Sequence, residues 1–200
     1  MTAIEFYFDP TCPFSWAASR WLLDASHHRD IEIDWRQMSL AVLNEGTEVP
    51  EQHRQQMEDS RKLGRTIAAA RSRGSSETLG TLYTAIGNRV HHQNAPVTVA
   101  MVSAALAESG LDSQLAESID DPTYDDAVRA AHQKSQDKLG DSGGSPIICI
   151  SGRCFFGPVL TAGPTAVEGV ELFDAVLILS QTSSFAQLRR PHNGPPTFSH

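Results

Sequence analysis

In FDPTCPFSW, residues 8–16, Cys12 is followed by Pro13, and Ser15 stands three positions beyond the cysteine. A thiolate in the first turn of a helix is stabilised by unpaired N–H groups and by the macrodipole, which can lower a cysteine pKa from ~8.5 by several units. Pro13 suits the first helical position, because its missing N–H has no intrahelical partner there. Residues i and i+3 share a helix face, so a second thiol at position 15 would be placed to resolve a mixed disulfide on Cys12. A serine hydroxyl can instead donate a hydrogen bond to the thiolate, but it cannot exchange disulfides. Cys12 therefore has three readings: a monothiol redox nucleophile, a residue that steadies the thiolate of another molecule, or a small apolar residue packed at a helix start.

The elements around the cysteine favour chemistry. IEFYFD alternates and ends at Asp9-Pro10, which predicts a short strand closed by a turn. Phe14, Ala17, Ala18, Trp21, Leu22 and Ala25 recur at helical spacing, and the helix closes near HHRD, whose basic residues suit its negative end. IEIDWRQM then alternates as a second strand. From residue 44 to 140 the pattern is helical with short breaks, punctuated by Pro50, Pro96, Gly110 and Gly140. Thr123 with Asp126 is read as a capping box. SPIICISGRCFFGPV reads as a hairpin about Ser151-Gly152, a last helix is expected from Pro164 to Gln181, and RRPHNGPPTFSH is read as an extended tail.

The order β-α-β, helical insert, β-β-α is that of an α/β thioredoxin-like fold carrying a large all-helical insertion. Residues 1–43 and 141–200 are expected to form the thioredoxin-like domain, and 44–140 an insertion over the mouth bearing Cys12. In this fold a cis-proline loop approaches the cysteine, and Ser145-Pro146, just ahead of a predicted strand, is the candidate for it.

Bulk composition narrows the partners. A chain of 200 residues suits one core, and a formal charge of −8 argues against nucleic acid as a partner. No apolar run approaches the ~20 residues needed to span a bilayer, and MTAIEFYFDP lacks the basic and apolar regions of a secretory leader, so the expected location is cytoplasmic. Three cysteines are too few for a disulfide framework. If Ser151-Gly152 is a two-residue turn, Cys149 faces Cys154, and in a reducing compartment both are expected to be free core thiols rather than a bridge. His91-His92 lacks a second ligand pair at metal spacing, so no metal is expected.

FDPTCPFSWAASRW, MSLAVLNE, LYTAIGNRVHHQ, SPIICISGRCFFGPVL and the late PPTF together resemble the DsbA-like branch of the thioredoxin superfamily, most closely the actinobacterial mycothiol-dependent nitroreductases. The resemblance implies a thiol-disulfide oxidoreductase using a low-molecular-weight thiol, mycothiol ahead of glutathione, and a disulfide or nitroaromatic substrate; it leaves a homodimer open. That family carries Cys-Pro-aromatic-Cys, and Ser15 replaces its second cysteine here. By the resemblance Cys12 and Ser15 are catalytic, while Pro13, Phe14, Trp16, Ser145, Pro146, Tyr83, Asn88 and His91, with His92 beside it, would line the thiol and substrate cleft. Tyr83 also fits a buried stripe with Ile86 and Val90, and Trp16 reads equally as a core residue. Arg61, Lys62 and Arg65 read equally as a cofactor-carboxylate site and as a solvated basic face. Kappa-class glutathione transferases and 2-hydroxychromene-2-carboxylate isomerases share the layout and form the alternative. A redox-inactive thioredoxin-like binding module is the non-enzymatic one.

Overall fold

The computed structural model describes residues 1–198. Strand β1 (Thr2–Phe8) lies parallel to β2 (Ile31–Gln37), with Ile4 opposite Ile33 and Phe8 opposite Gln37, and helix α1 (Pro13–Ser26) makes the crossover between them. β3 (Ile147–Ile150) runs antiparallel to β1, and β4 (Arg153–Phe156) antiparallel to β3, giving the order β2-β1-β3-β4. This is the thioredoxin-like arrangement expected from the sequence pattern.

Alternation along β1 divides the core. Ile4, Phe6 and Phe8 enter the main cluster with Trp16, Trp21 and Leu22 of α1, whereas Tyr7 turns to a smaller cluster with Met38, Ile147 and Cys149. Helix α7 (Ala166–Gln181) closes the main cluster with Phe173, and the Trp21 Nε1–H donates to the Gly169 carbonyl at 2.7 Å.

Among the described residues, every regular element between β2 and β3 is helical. A single turn, α2 (Leu40–Leu43), leads into α3 (Glu51–Arg71) and α4 (Ser76–Gly87), which runs into a π turn over Asn88–His92. α5 (Val99–Glu108), two 3-10 stretches and α6 (Asp125–Leu139) follow. Gly140 ends α6 at φ +79°, a left-handed conformation that glycine adopts without a Cβ clash.

Two local expectations are corrected. The Thr123–Asp126 box does not form: the Asp121 carboxylate accepts the Thr123 N–H at 2.9 Å, capping a short 3-10 turn instead, and α6 starts directly after that turn, at Asp125. The capping box lies at α7, where Thr165 and Glu168 satisfy each other's backbone N–H groups. Cys149 and Cys154, expected as free thiols, are disulfide-bonded with Cα atoms 4.0 Å apart. The reason is the turn. Ser151 and Gly152 at φ +52° and +81° make a two-residue hairpin that sets the cysteines directly opposite each other, in a position where facing side chains approach most closely.

Candidate functional site

Cys12 occupies the N-cap of α1 in an extended conformation, with Pro13 beginning the helix. It is the only free cysteine and is 4% exposed. Its Sγ–H donates to the Ser145 carbonyl at 3.2 Å, and the Ser145–Pro146 bond is cis, so the predicted proline loop does face the sulfur. Burial pushes the thiol pKa up to about 11; the N–H groups of Ser15 and Phe14 oppose it, and the nearby Asp9 carboxylate reinforces it. In the closed site desolvation outweighs the helix terminus.

Asp9 is the residue that sequence reasoning read only as a turn. It is fully buried, and its carboxylate accepts four hydrogen bonds: from the Thr11 N–H and hydroxyl, both at 2.8 Å, from the Leu40 N–H at 2.7 Å and from the Ser60 hydroxyl at 2.5 Å. Its backbone serves the same site, since its carbonyl accepts the Cys12 N–H at 3.1 Å and its N–H donates to the Ser145 hydroxyl at 3.0 Å. One residue thus ties the cysteine turn to the proline loop, α2 and α3. Burial raises its pKa, with the bonds from Ser60, Leu40 and Thr11 opposing. The available signal was a carboxylate three residues before a reactive-looking cysteine. Its distant partners were not readable.

Ser15 departs from expectation. Its buried hydroxyl donates to backbone carbonyls, those of Asp9 at 3.1 Å and Cys12 at 3.3 Å, rather than to the Cys12 sulfur. These carbonyls lie within its reach at the helix start, and the Tyr83 hydroxyl, 3.2 Å away, completes its surroundings. Tyr83 is buried, stacked on Phe8 at 3.8 Å between ring centroids, and burial raises its phenol pKa so that it stays protonated.

Trp16 is fully buried among polar and aromatic neighbours. The Arg20 guanidinium lies 4.0 Å from its ring centroid and His91 stacks at 5.5 Å, while its Nε1–H donates to His92 Nε2 at 3.1 Å. Gly87 is needed behind it, because an added Cβ would lie 2.1 Å from Trp16 Cζ3. His91 donates from Nε2 to the Pro10 carbonyl at 3.0 Å, which places its proton on that nitrogen. Burial pushes its pKa down to about 4, leaving it neutral near pH 7. The π turn delivers both histidines to this tryptophan. Phe14 is half-exposed and meets the His192 ring edge-on at 5.1 Å.

Asn88 does not join the group; its side chain is exposed at the start of the π turn. Arg65 is engaged in two hydrogen bonds to Asp125, at 2.7 and 3.0 Å, and Arg61 and Lys62 face Glu58, so the basic trio is paired locally. A groove of about 250 Å³ is lined by Asn44, Pro50, His53, Gln56 and Met57 among others, and Gln56 links this lining to the cysteine turn by donating to the Thr11 carbonyl at 3.0 Å. Among the described residues, no group of three or more His, Cys, Asp or Glu is arranged to hold a metal ion, and no helix is long and apolar enough to cross a membrane.

Comparison with known proteins bears on this site. Residues 11–190 match the sequence model of the Rv2466c-like family, described as mycothiol-dependent nitroreductase Rv2466c. The chain is 31% identical over 193 residues to the uncharacterized protein Rv2286c of Mycobacterium tuberculosis, covering 96% of this chain and 83% of that protein. In structure it is similar to a probable DsbA oxidoreductase, SCO1869, from Streptomyces coelicolor, with TM-score 0.60 at 18% identity over 96% of this chain and 93% of that one. A 2-hydroxychromene-2-carboxylate isomerase is similar to the same degree, with TM-score 0.61 at 15% identity, covering 90% and 96%. These two likenesses show the shared fold and do not separate the reactions.

Proposed function

Because this chain belongs to the Rv2466c-like family of mycothiol-dependent nitroreductases, we propose that it is a cytoplasmic monothiol oxidoreductase in which Cys12 exchanges disulfides with a low-molecular-weight thiol. Mycothiol is the expected thiol, with glutathione the competing one, and disulfides or nitroaromatic compounds are the expected acceptors. In this reading residues 1–43 and 141–200 form the redox domain, and residues 44–140 form its helical roof.

One observation carries the reading: Cys12 sits at the helix mouth against the cis-proline loop, while position 15 holds a hydroxyl turned toward backbone carbonyls. The Cys12 thiolate attacks a disulfide RS–SR′, forming Cys12–S–SR and releasing R′S⁻. Without a thiol at position 15 the adduct waits for a second small thiol, which takes the outer sulfur as RS–SR and returns Cys12 as a thiol. The groove lined by Asn44, His53 and Gln56 connects to the cysteine turn through the Gln56 bond to the Thr11 carbonyl, and in this reading it receives the polar part of the small molecule.

A second reading is favoured by a different observation. A neutral Cys12 S–H that donates to a carbonyl can equally donate to the thiolate of a bound molecule, as an isomerase or transferase of this fold would require. Intact-mass analysis separates the two. The protein and its Cys12→Ala variant are exposed to mycothiol disulfide and then to excess reduced mycothiol. A single adduct on Cys12, absent from the variant and removed by the thiol, is the expected result. Failure to form any adduct while reduced mycothiol still binds would transfer the assignment to the second reading.

A further inference from the structure

Cys12 is almost inaccessible, yet either reading requires a small molecule to reach it. The C-terminal segment touches both sides of its mouth. His192 meets Phe14, two residues after the cysteine, and Phe198 packs against His91 and His92 with ring centroids 6.1 and 5.4 Å apart. His91 in turn holds the Pro10 carbonyl, two residues before the cysteine. Between these contacts Pro196 is buried, and the Thr197 N–H donates to the Thr161 carbonyl at 3.0 Å in an isolated parallel bridge.

We propose that residues 191–198 form a strap that governs access to Cys12, and that thiol exchange proceeds only when the strap lifts. The proposal deepens the functional reading above by assigning the gate of the same site. The chemistry of the strap suits a segment with two positions. Pro195-Pro196 stiffens the half that docks, so little chain entropy is lost on closing, and Gly194 at φ +68° supplies the bend between the His192 and Pro196 contacts. Its attachment is sparse. Among the described residues, one backbone hydrogen bond, a longer one from the Thr197 hydroxyl at 3.5 Å, the buried Pro196 ring and the Phe198 side chain against the main cluster hold it, against the full hydrogen-bond ladders of the sheet, and such segments open locally without global unfolding.

Access is read directly by alkylation of Cys12, the only free thiol, with excess iodoacetamide at fixed pH, followed by intact mass. No mycothiol is involved, so a redox-inert Cys12 would leave this test intact, and a failed strap would leave the redox reading standing. Removal of residues 191–200 is expected to raise the alkylation rate at least about tenfold, the scale of a local opening that no longer has to occur. Gly194→Ala places a Cβ in open space and adds only the left-handed backbone cost, so about tenfold acceleration is expected there too. Gly110→Ala carries the same cost at φ +71° at the end of α5, also in open space, and is expected to leave the rate unchanged. The truncated chain decides if its circular dichroism is native; if it unfolds, Gly194→Ala decides. A wild-type rate in the deciding variant, or equal acceleration by Gly110→Ala, overturns the strap.

Discussion

The mouth of α1 and the β3–β4 hairpin both set sulfur beside the central strand β1, and they are built from different distances along the chain. In the hairpin, six consecutive residues settle everything: the turn at Ser151-Gly152 fixes the register, and the register brings Cys149 onto Cys154. At the mouth, Asp9, Leu40, Ser60, His91 and Ser145 come from five separate segments to hold the turn that carries one thiol. The contrast teaches that a local device can pair sulfurs, whereas adjusting the reactivity of a single sulfur takes the whole fold.

The largest effect that can break this comparison is chemical. Cys12→Ala is expected to reduce thiol-exchange turnover by at least ~10³-fold, the scale of losing a nucleophile. The Cys149→Ser/Cys154→Ser double variant is expected to leave turnover within about twofold of wild type, because the pair lies in the smaller cluster with Tyr7 and Met38 and neither cysteine bonds Cys12, Asp9 or Ser145. If steady-state rates showed the two changes to be equally damaging, the hairpin pair would belong to the reaction and the division would be wrong.

A second test concerns burial at the mouth. With its pKa pushed up to about 11, the native Cys12 should alkylate about tenfold faster per pH unit up to that value, whereas the unfolded chain should level off near 9.0. The sign for stability follows from linkage. A thiol whose folded pKa is raised binds its proton more tightly in the folded state, so its contribution is complete below pH 9 and is lost as pH rises through 11. The loss is about 3 kcal/mol for the two-unit shift. Urea denaturation of wild type and Cys12→Ala across that window should show the wild-type curve falling more steeply. Parallel curves would mean that the thiol is solvated rather than buried.

Asp9→Ala sharpens the same contrast from the polar side. It strips a buried acceptor from the Leu40 N–H, the Thr11 N–H and hydroxyl and the Ser60 hydroxyl together, which should cost about 3 kcal/mol in the urea midpoint analysis. Asp9→Asn should recover part of that loss, since an amide keeps one acceptor oxygen. A loss below about 1 kcal/mol for the alanine variant would show that the four bonds are replaced by water and that Asp9 is not the tie it resembles.

Legibility from sequence followed the same division. The β-α-β opening, Cys12 at the helix mouth and the facing of Cys149 and Cys154 rest on local spacing and were readable, and the proline loop, 133 residues from Cys12, was readable through the fold that the element order implied. The aim of the Ser15 hydroxyl, the pairing of Arg65 with Asp125 and the hub at Asp9 depend on partners as far as 136 residues away, and were not. His192 and Phe198 lie in a tail whose composition predicts extension and says nothing of where it docks. The expectation of free hairpin thiols failed for another reason: it weighed the compartment above geometry that the turn had already determined.

The smallest expected effect tests the hairpin itself. Its bridge links residues five apart, and closing so short a loop restricts the unfolded chain by no more than about 2 kcal/mol in the chain-entropy picture. Part of that restriction is already supplied by the turn, because a left-handed Ser151-Gly152 pair and the β3–β4 ladder bring the same strands together without sulfur. The Cys149→Ser/Cys154→Ser variant should therefore lose about 1 kcal/mol, with the slope of the urea transition unchanged. A loss of several kcal/mol would mean that the bridge, rather than the turn, holds the edge strand in register. The hairpin would then resemble the Cys12 mouth in depending on a contact that its local sequence does not secure.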